Sequence, residues 1–255
     1  MLKYANPTHF LRLANAAVPW LAAVTAALFA AGLYMTFFTA PADYQQGETV
    51  RIMFIHVPAA WLSLMVYGAM TLAALGTLVW RHPLADAAQK TAAPIGAAFT
   101  FVCLVTGSLW GKPMWGTWWV WDARLTSELV LLLIYLGLVA LWRTIEDPGK
   151  AARAAAILTL VGVVNIPVIK FSVDWWNTLH QPASVFRMGG STIHPSMLWP
   201  LLVMALAASL LFLTLHLMAI RNEILRRRLR RLSILAAREG EAPRRAMEMF
   251  PGNAS

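Results

Sequence analysis

Apolar residues in this chain do not alternate with polar ones. They run in blocks of about twenty, separated by short polar connections. Six blocks stand out, at roughly Val18–Phe38, Phe54–Trp80, Ala92–Leu109, Ser127–Trp142, Ala154–Ile169 and Met197–Ile220. A helix needs about 20 apolar residues to cross the hydrocarbon core of a bilayer. Backbone polar groups cannot stay unpaired in lipid, so closed helices are the expected form. The pattern therefore predicts an all-α polytopic membrane protein with six transmembrane helices. The fourth and fifth blocks are the shortest. The first is longer than a signal-peptide core of roughly 7–15 residues, and no small-residue cleavage site follows it. It is read as a retained span.

The connections alternate in charge. The first, third and fifth hold Arg51, then Lys112 and Arg124, then Lys170 and Arg187. The other side holds Lys3, Arg12, Arg81, Lys90, Arg143, Lys150, Arg153 and nine arginines of the C-terminal tail, so 16 basic residues face 5. Basic residues stay on the cytoplasmic side, which places both termini in the cytoplasm. Without the tail the balance is 7 against 5, so the orientation leans on Arg221–Arg231. No repeat or linker divides the chain. Residues 1–220 are expected to form one six-helix domain and 221–255 a basic cytoplasmic tail, with Phe250–Ser255 disordered. The tail reads as an anchor to anionic lipid, and nucleic acid is not an expected partner.

Composition agrees with this picture and narrows the chemistry. The chain has 255 residues, is 59% hydrophobic and 13% charged, with a mean hydropathy of +0.59, whereas soluble domains carry roughly 25% charged residues. The net charge of +9 comes mainly from the tail. The single cysteine, Cys103, rules out an internal disulfide and any C-x-x-C or C-x-x-C-H motif. Gly107–Lys112 has the wrong spacing for a phosphate-binding loop, so any ATP hydrolysis belongs to another subunit.

Five of the twelve tryptophans fall between Trp110 and Trp121, in W-G-K-P-M-W-G-T-W-W-V-W-D. Trp20, Trp61, Trp80, Trp142 and Trp199 fit an ordinary aromatic belt at the headgroup level. Five indoles in so short a run exceed it. Gly111, Pro113 and Gly116 disfavour a regular helix there, so the run is expected to be an irregular, flat, apolar surface at the outer membrane edge. Trp175 and Trp176 add a second aromatic patch.

Three histidines share the outer side: His56, His180 and His194. Pro58 suits the first turn of a helix, which puts His56 near the N-cap of the second span. His9 and His82 read as solvated, and His216 as a packing residue. A lone interfacial histidine is more often structural than a ligand. Two neutral imidazoles on separate outer segments can, however, grip opposite faces of one iron. Haem also accounts for the tryptophans, being flat and apolar with two axial positions and two carboxylates. Residue types leave His180 and His194 equivalent. Asp122 reads either as the N-cap of the fourth span or as part of the site. Arg124 and Glu128 stand four apart and either pair on a helix surface or serve the ligand, with Arg124 joined by Arg51 or Lys112 on its carboxylates. An intramembrane carboxylate such as Glu128 is a functional candidate. Gly107–Gly111 reads as a helix-packing pair.

Trp115–Leu129, W-G-T-W-W-V-W-D-A-R-L-T-S-E-L, resembles the tryptophan-rich WWD signature of haem-handling membrane proteins. With the preceding G-K-P-M it is similar to the CcmC branch, which serves cytochrome c maturation. Ala40–Gly47, His56–Ala60, Ala93–Ala97 and Trp175–Gln181 agree with that branch, so the likeness spans Ala40 to Gln181. The basic tail shows none. The resemblance implies six spans, an outward-facing haem site, and axial ligands at His56 and His180, with His180 preferred to His194. It implies transient, non-covalent binding of haem b in a bacterial inner membrane and presentation to the periplasmic haem chaperone CcmE. The ABC transporter subunits CcmA and CcmB and the small subunit CcmD are the implied neighbours.

The resulting reading is a haem-handling protein rather than an enzyme. His56 and His180 hold the iron, and Trp115, Trp118, Trp119 and Trp121 form a platform. Arg51 and Arg124 meet the propionates, and Asp122 orients the loop or the partner. A carrier must use reversible bonds, since a thioether would block release. A membrane electron-transfer cytochrome would carry its histidines deeper, on facing helices. A lyase would attach haem to apocytochrome without the chaperone. A channel for haem would show more polar groups inside the spans.

Overall fold

The computed structural model describes residues 6–249, with side chains to Ala237. Lys3 and Phe250–Ser255, for which expectations were given above, lie outside the described residues. The fold is all-helical: α1 Pro7–Tyr34, α2 Met53–Trp80, α3 Pro83–Trp115, α4 Ala123–Thr144, α5 Pro148–Gly162, α6 Asn165–Trp175 and α7 Pro195–Met249. A π-helical turn, Met35–Thr39, follows α1, and a 3-10 turn, Glu48–Ile52, leads into α2. Among the described residues six segments are long and apolar enough to cross a membrane, with α5 and α6 together forming the fifth.

Helix starts are written locally. Asn6-Pro7, His82-Pro83, Asp147-Pro148 and His194-Pro195 each place a polar cap before a proline in the first turn, where the missing N–H does no harm. The Leu84 N–H donates to His82 Nδ1 at 3.2 Å, and the Lys150 N–H to Asp147 Oδ1 at 2.7 Å. His82 is therefore a cap rather than a merely solvated side chain. The break between α5 and α6 has an equally local cause. Pro167 has no N–H for the Val163 carbonyl and its ring crowds that group, and the helix parts at Val163–Val164.

Helices α2 and α3 form a central antiparallel pair. α7 packs on both and carries α1 on its far side, while α4 leans on α3 and α5 on α2. The core between them is built around Tyr67 and Tyr135, both fully buried, with Leu62, Met70, Leu131 and Leu138. Tyr135, on α4, donates to the Ser63 carbonyl of α2 at 2.8 Å. Tyr67, on α2, donates to the Thr159 carbonyl of α5 at 2.9 Å. Each phenol thus ties two helices while satisfying its hydroxyl where water is absent.

Three sequence expectations are corrected here. The third span does not end near Leu109. α3 runs on to Trp115 and closes at Gly116, whose φ of 75° favours glycine. Gly111 and Pro113 lie inside it, so the tryptophan run is half helical. Pro113 forfeits only one bond near a helix end, which packing offsets. His56 lies about one turn inside α2 rather than at its cap, because the 3-10 turn supplies the helix start that Pro58 was expected to mark. The last span does not stop at Ile220; α7 continues through the first arginines of the tail.

A Cβ at Gly96 would sit 2.2 Å from the Tyr135 ring, whereas one at Gly68 meets nothing within 4 Å. Gly96→Ala is expected to cost about 1–3 kcal/mol through overpacking, and Gly68→Ala to be neutral or slightly stabilising. Thermal unfolding of the purified protein in detergent compares the two.

Candidate functional site

The site forms where the outer ends of α2, α3 and α4 meet the loop after α6. His56 projects from α2 onto α3. Its Nδ1 lies 3.0 Å from the Cys103 carbonyl and 3.1 Å from Thr106 Oγ1. A carbonyl only accepts, so Nδ1 carries the proton and Nε2 keeps its lone pair. A glycine on α3 eases the approach, since a Cβ at Gly107 would lie 3.0 Å from the imidazole Cε1, a tight contact. Gly107 thus accommodates a side chain of the site, a more specific task than the helix packing expected of it. Trp110 meets the same imidazole edge-on at 5.7 Å between ring centres and donates its indole N–H to Gln46 Oε1 at 2.8 Å, so the first loop braces the back of His56.

His180 arrives from the loop after α6. Its ring packs edge-to-face on Trp115 at 4.9 Å, and its Nδ1 lies 3.8 Å from Asp122 Oδ2. Asp122 accepts from the Leu125 N–H at 2.8 Å through Oδ1, capping α4 as one sequence reading expected. Its other oxygen accepts from the Leu179 N–H at 3.4 Å. One carboxylate therefore fixes a helix start and the segment carrying a histidine. Burial, reinforced by the Arg124 cation and opposed by Asp122, lowers the His180 pKa from 6.5 to about 4. The imidazole is neutral at pH 7 and free to donate a lone pair.

Both histidines line one cavity, together with Trp115, Trp119, Arg124 and Glu128. Arg124 and Glu128, four apart on α4, both face it. Arg124 donates to the Ile169 carbonyl of α6 at 2.5 Å, so it braces the fifth span as well. The indole N–H of Trp119 and Oε1 of Glu128 are buried without a hydrogen-bond partner. Among the described residues no three His, Cys, Asp or Glu side chains cluster to hold an ion. The chemistry on offer is two imidazole lone pairs, a cation and aromatic walls.

The donor set fits haem, with two neutral imidazoles for the iron and a guanidinium for a propionate. The space fits only after movement. The cavity measures about 50 Å³, room for a few waters and far below the roughly 300–1,000 Å³ of cofactor sites. A macrocycle would fit there only if a wall moved. The wall with least regular structure is the loop from 176 to 194.

Other expected site residues fall outside the cavity lining. Trp118 and Trp121 are exposed; Lys112 stands 5.9 Å from the centre of the Trp118 ring, and Trp121 packs edge-to-face on Trp119 at 5.4 Å. Trp175 and Trp176 are exposed as well. The guanidinium of Arg51 is bound by Glu48 and by the Thr36 carbonyl. His194 caps α7, with Nδ1 2.8 Å from Ser196 Oγ, which separates it from His180 where residue types could not. Cys103 and Thr106 were not foreseen as partners of His56. Their place two turns and one turn before Trp110 on α3 was the available signal.

The chain is matched by the family model described as Heme exporter protein C over residues 1–235. It is 68% identical over 237 residues to the Heme exporter protein C of Bradyrhizobium diazoefficiens, covering 93% of this chain and 90% of that one. It is 52% identical over 221 residues to the protein of that name from Escherichia coli K12, covering 87% and 89%. A cytochrome c biosynthesis ccmC-like mitochondrial protein of Marchantia polymorpha is 52% identical over 187 residues, covering 73% and 78%.

The depressed His180 pKa has a signed consequence. The unfolded chain takes up this proton near pH 6.5, whereas the folded protein resists it down to about pH 4. The stabilising contribution is present above pH 6.5 and is lost as pH falls toward 4. The unfolding temperature in detergent should drop across that window, and His180→Gln should flatten part of the drop.

Proposed function

The chain belongs to the haem exporter protein C family, and from that premise we propose that it binds haem non-covalently at one membrane face and presents it to a partner for cytochrome c maturation. The convergence of His56 and His180 on one cavity carries this reading. Both offer an unprotonated nitrogen, yet they differ in mounting. His56 is fixed on a helix by two acceptors on α3. His180 sits in a loop held through Asp122. A carrier needs this asymmetry: one ligand holds position while the other leaves.

When bound, haem supplies an iron open to two axial nitrogens, which His56 and His180 would provide. Arg124 is the proposed propionate partner. Arg51 would serve the second by exchanging Glu48 for it. Trp115 and Trp119 would wall the macrocycle, whereas Trp118 and Trp121 face outward and suit the partner. Asp122 would orient His180 throughout. The ligand is proposed to be haem b, and the recipient the periplasmic chaperone CcmE. CcmA, CcmB and CcmD are the proposed neighbours in an ABC-type export system. The excess of basic residues at the opposite end of the bundle supports a site facing the periplasm, with both termini cytoplasmic in a bacterial inner membrane.

Protein purified with bound pigment should show a haem Soret band. The His56→Ala, His180→Ala pair should lose at least about nine-tenths of it, and His194→Ala should keep it. Retention of the band in the double variant would overturn the ligand assignment. Trp118→Ala with Trp121→Ala should leave the band but slow its transfer to purified CcmE.

A further inference from the structure

The end of the bundle opposite the site holds a feature that haem handling does not use. The last apolar helical segment, Pro195–Ala237, has 43 residues. At 1.5 Å per residue it is about 65 Å long, roughly twice the hydrocarbon core. Its departure point is fixed. Glu223, almost fully buried, accepts from Lys90 Nζ and from Arg227 Nε at 2.8 Å each, and from Arg226. Ile220 and Ile224 pack against Leu11 and Ala87. Arg228 donates to Thr8 Oγ1 at 2.7 Å, next to the first residue of α1. Past Arg228 the helix has outrun α1.

The sequence changes character where support ends. Leu225, Leu229 and Leu232 are 43%, 68% and 61% exposed, and Ala236 continues the series. Their spacing of four, three and four is the heptad spacing of a coiled-coil seam. Arg226 and Arg228 take the positions that flank the seam, within a stretch from Arg221 to Arg231 that holds six arginines against the single Glu223, whose charge is already met by Lys90, Arg226 and Arg227. Exposed apolar residues in a line mark an interaction surface.

The geometry and charge select the occupant. An amphipathic helix bound to lipid lies in the plane of the interface. No glycine or proline occurs between Pro200 and Gly240, so nothing provides the sharp bend this would need. A second copy would bring its own arginines alongside these. We propose that the Leu225–Leu229–Leu232–Ala236 seam docks one amphipathic helix of an acidic partner protein, leucine against leucine, with glutamate or aspartate beside the arginines. The seam is independent of the haem reading, and its test does not involve haem.

The test uses the full chain in phosphatidylcholine nanodiscs. The probe is a fluorescent synthetic helix with leucine at the heptad core positions and glutamate at the flanks. Saturable binding is expected, weakened by salt and by at least about tenfold in Leu229→Glu with Leu232→Glu. Ile234→Glu, on the opposite face of the same helix, should leave it within about twofold. Circular dichroism and thermal unfolding confirm that each variant is folded. No saturable binding to the wild-type chain, or equal loss in the Ile234 variant, overturns the proposal. A spin label at Leu232→Cys that reads as lipid-immersed in phosphatidylglycerol nanodiscs would assign the seam to the membrane. Two such labels within coiled-coil distance would assign it to a second copy. Either result also overturns it.

Discussion

The site hangs on the two oxygens of one carboxylate. Asp122 Oδ1 takes the Leu125 N–H and so sets where α4 begins. Its Oδ2 takes the Leu179 N–H and lies beside the His180 ring. A helix start fixes the rotational phase of everything after it. Once α4 begins at Ala123, Arg124 and Glu128 must fall on one face, one turn apart, and that face lines the cavity. The same residue thus phases one wall and anchors the segment that brings in another. Charge makes this strong: a carboxylate accepting backbone N–H groups at a helix start also meets the positive end of the helix dipole.

The two histidines are held by different physics. His56 is positioned by packing. Gly107 removes the side chain that would stand in its way, and Cys103 and Thr106 on the next helix take its proton-bearing nitrogen. That arrangement fails only if α2 and α3 separate, and they form the central pair of the bundle. His180 is held by an aromatic edge contact and by a carboxylate 3.8 Å away, beyond a good hydrogen bond. Its environment keeps it neutral, but its mounting is soft. A site that must both hold and release a ligand can fix one grip and leave the other in a loop, so the cost of opening is local.

Much of this was legible in the sequence. Hydrophobic blocks located all six spans, because bilayer thickness sets a length that composition cannot disguise. What they could not mark was where helices end outside the lipid. α3 and α7 both outrun their apolar blocks, one into the tryptophan run and the other into the arginines. Glycine and proline near Trp110 argued for irregular chain, yet Gly111 takes the Trp115 ring 3.1 Å from a would-be Cβ, and Pro113 loses one bond close to a helix end. Local propensity yielded to packing. His180 and His194 were indistinguishable by type and neighbourhood. The difference lies in a capping contact with Ser196 on one and in Trp115 and Asp122 on the other, both set by tertiary structure. The partners of His56 were hidden for the same reason: a backbone carbonyl on a neighbouring helix leaves no trace in residue identity.

The cavity is small, about 50 Å³, and its lining carries a visible cost. The Trp119 indole N–H and one oxygen of Glu128 are buried without partners. Each such group costs about 1–3 kcal/mol relative to a satisfied one. Opening toward water, or toward a ligand with polar groups, would relieve both. The exposed indoles of Trp118 and Trp121 lie on the same segment as Trp119 and follow any movement of it. Unsatisfied groups inside, apolar surface outside and a loosely mounted histidine therefore act in the same direction. They would favour movement of the lining. The Tyr67–Tyr135 core deeper in the bundle has both phenol hydroxyls bonded. Those two bonds tie α2 to α5 and to α4, and would confine any movement of the lining to the end where haem would be held.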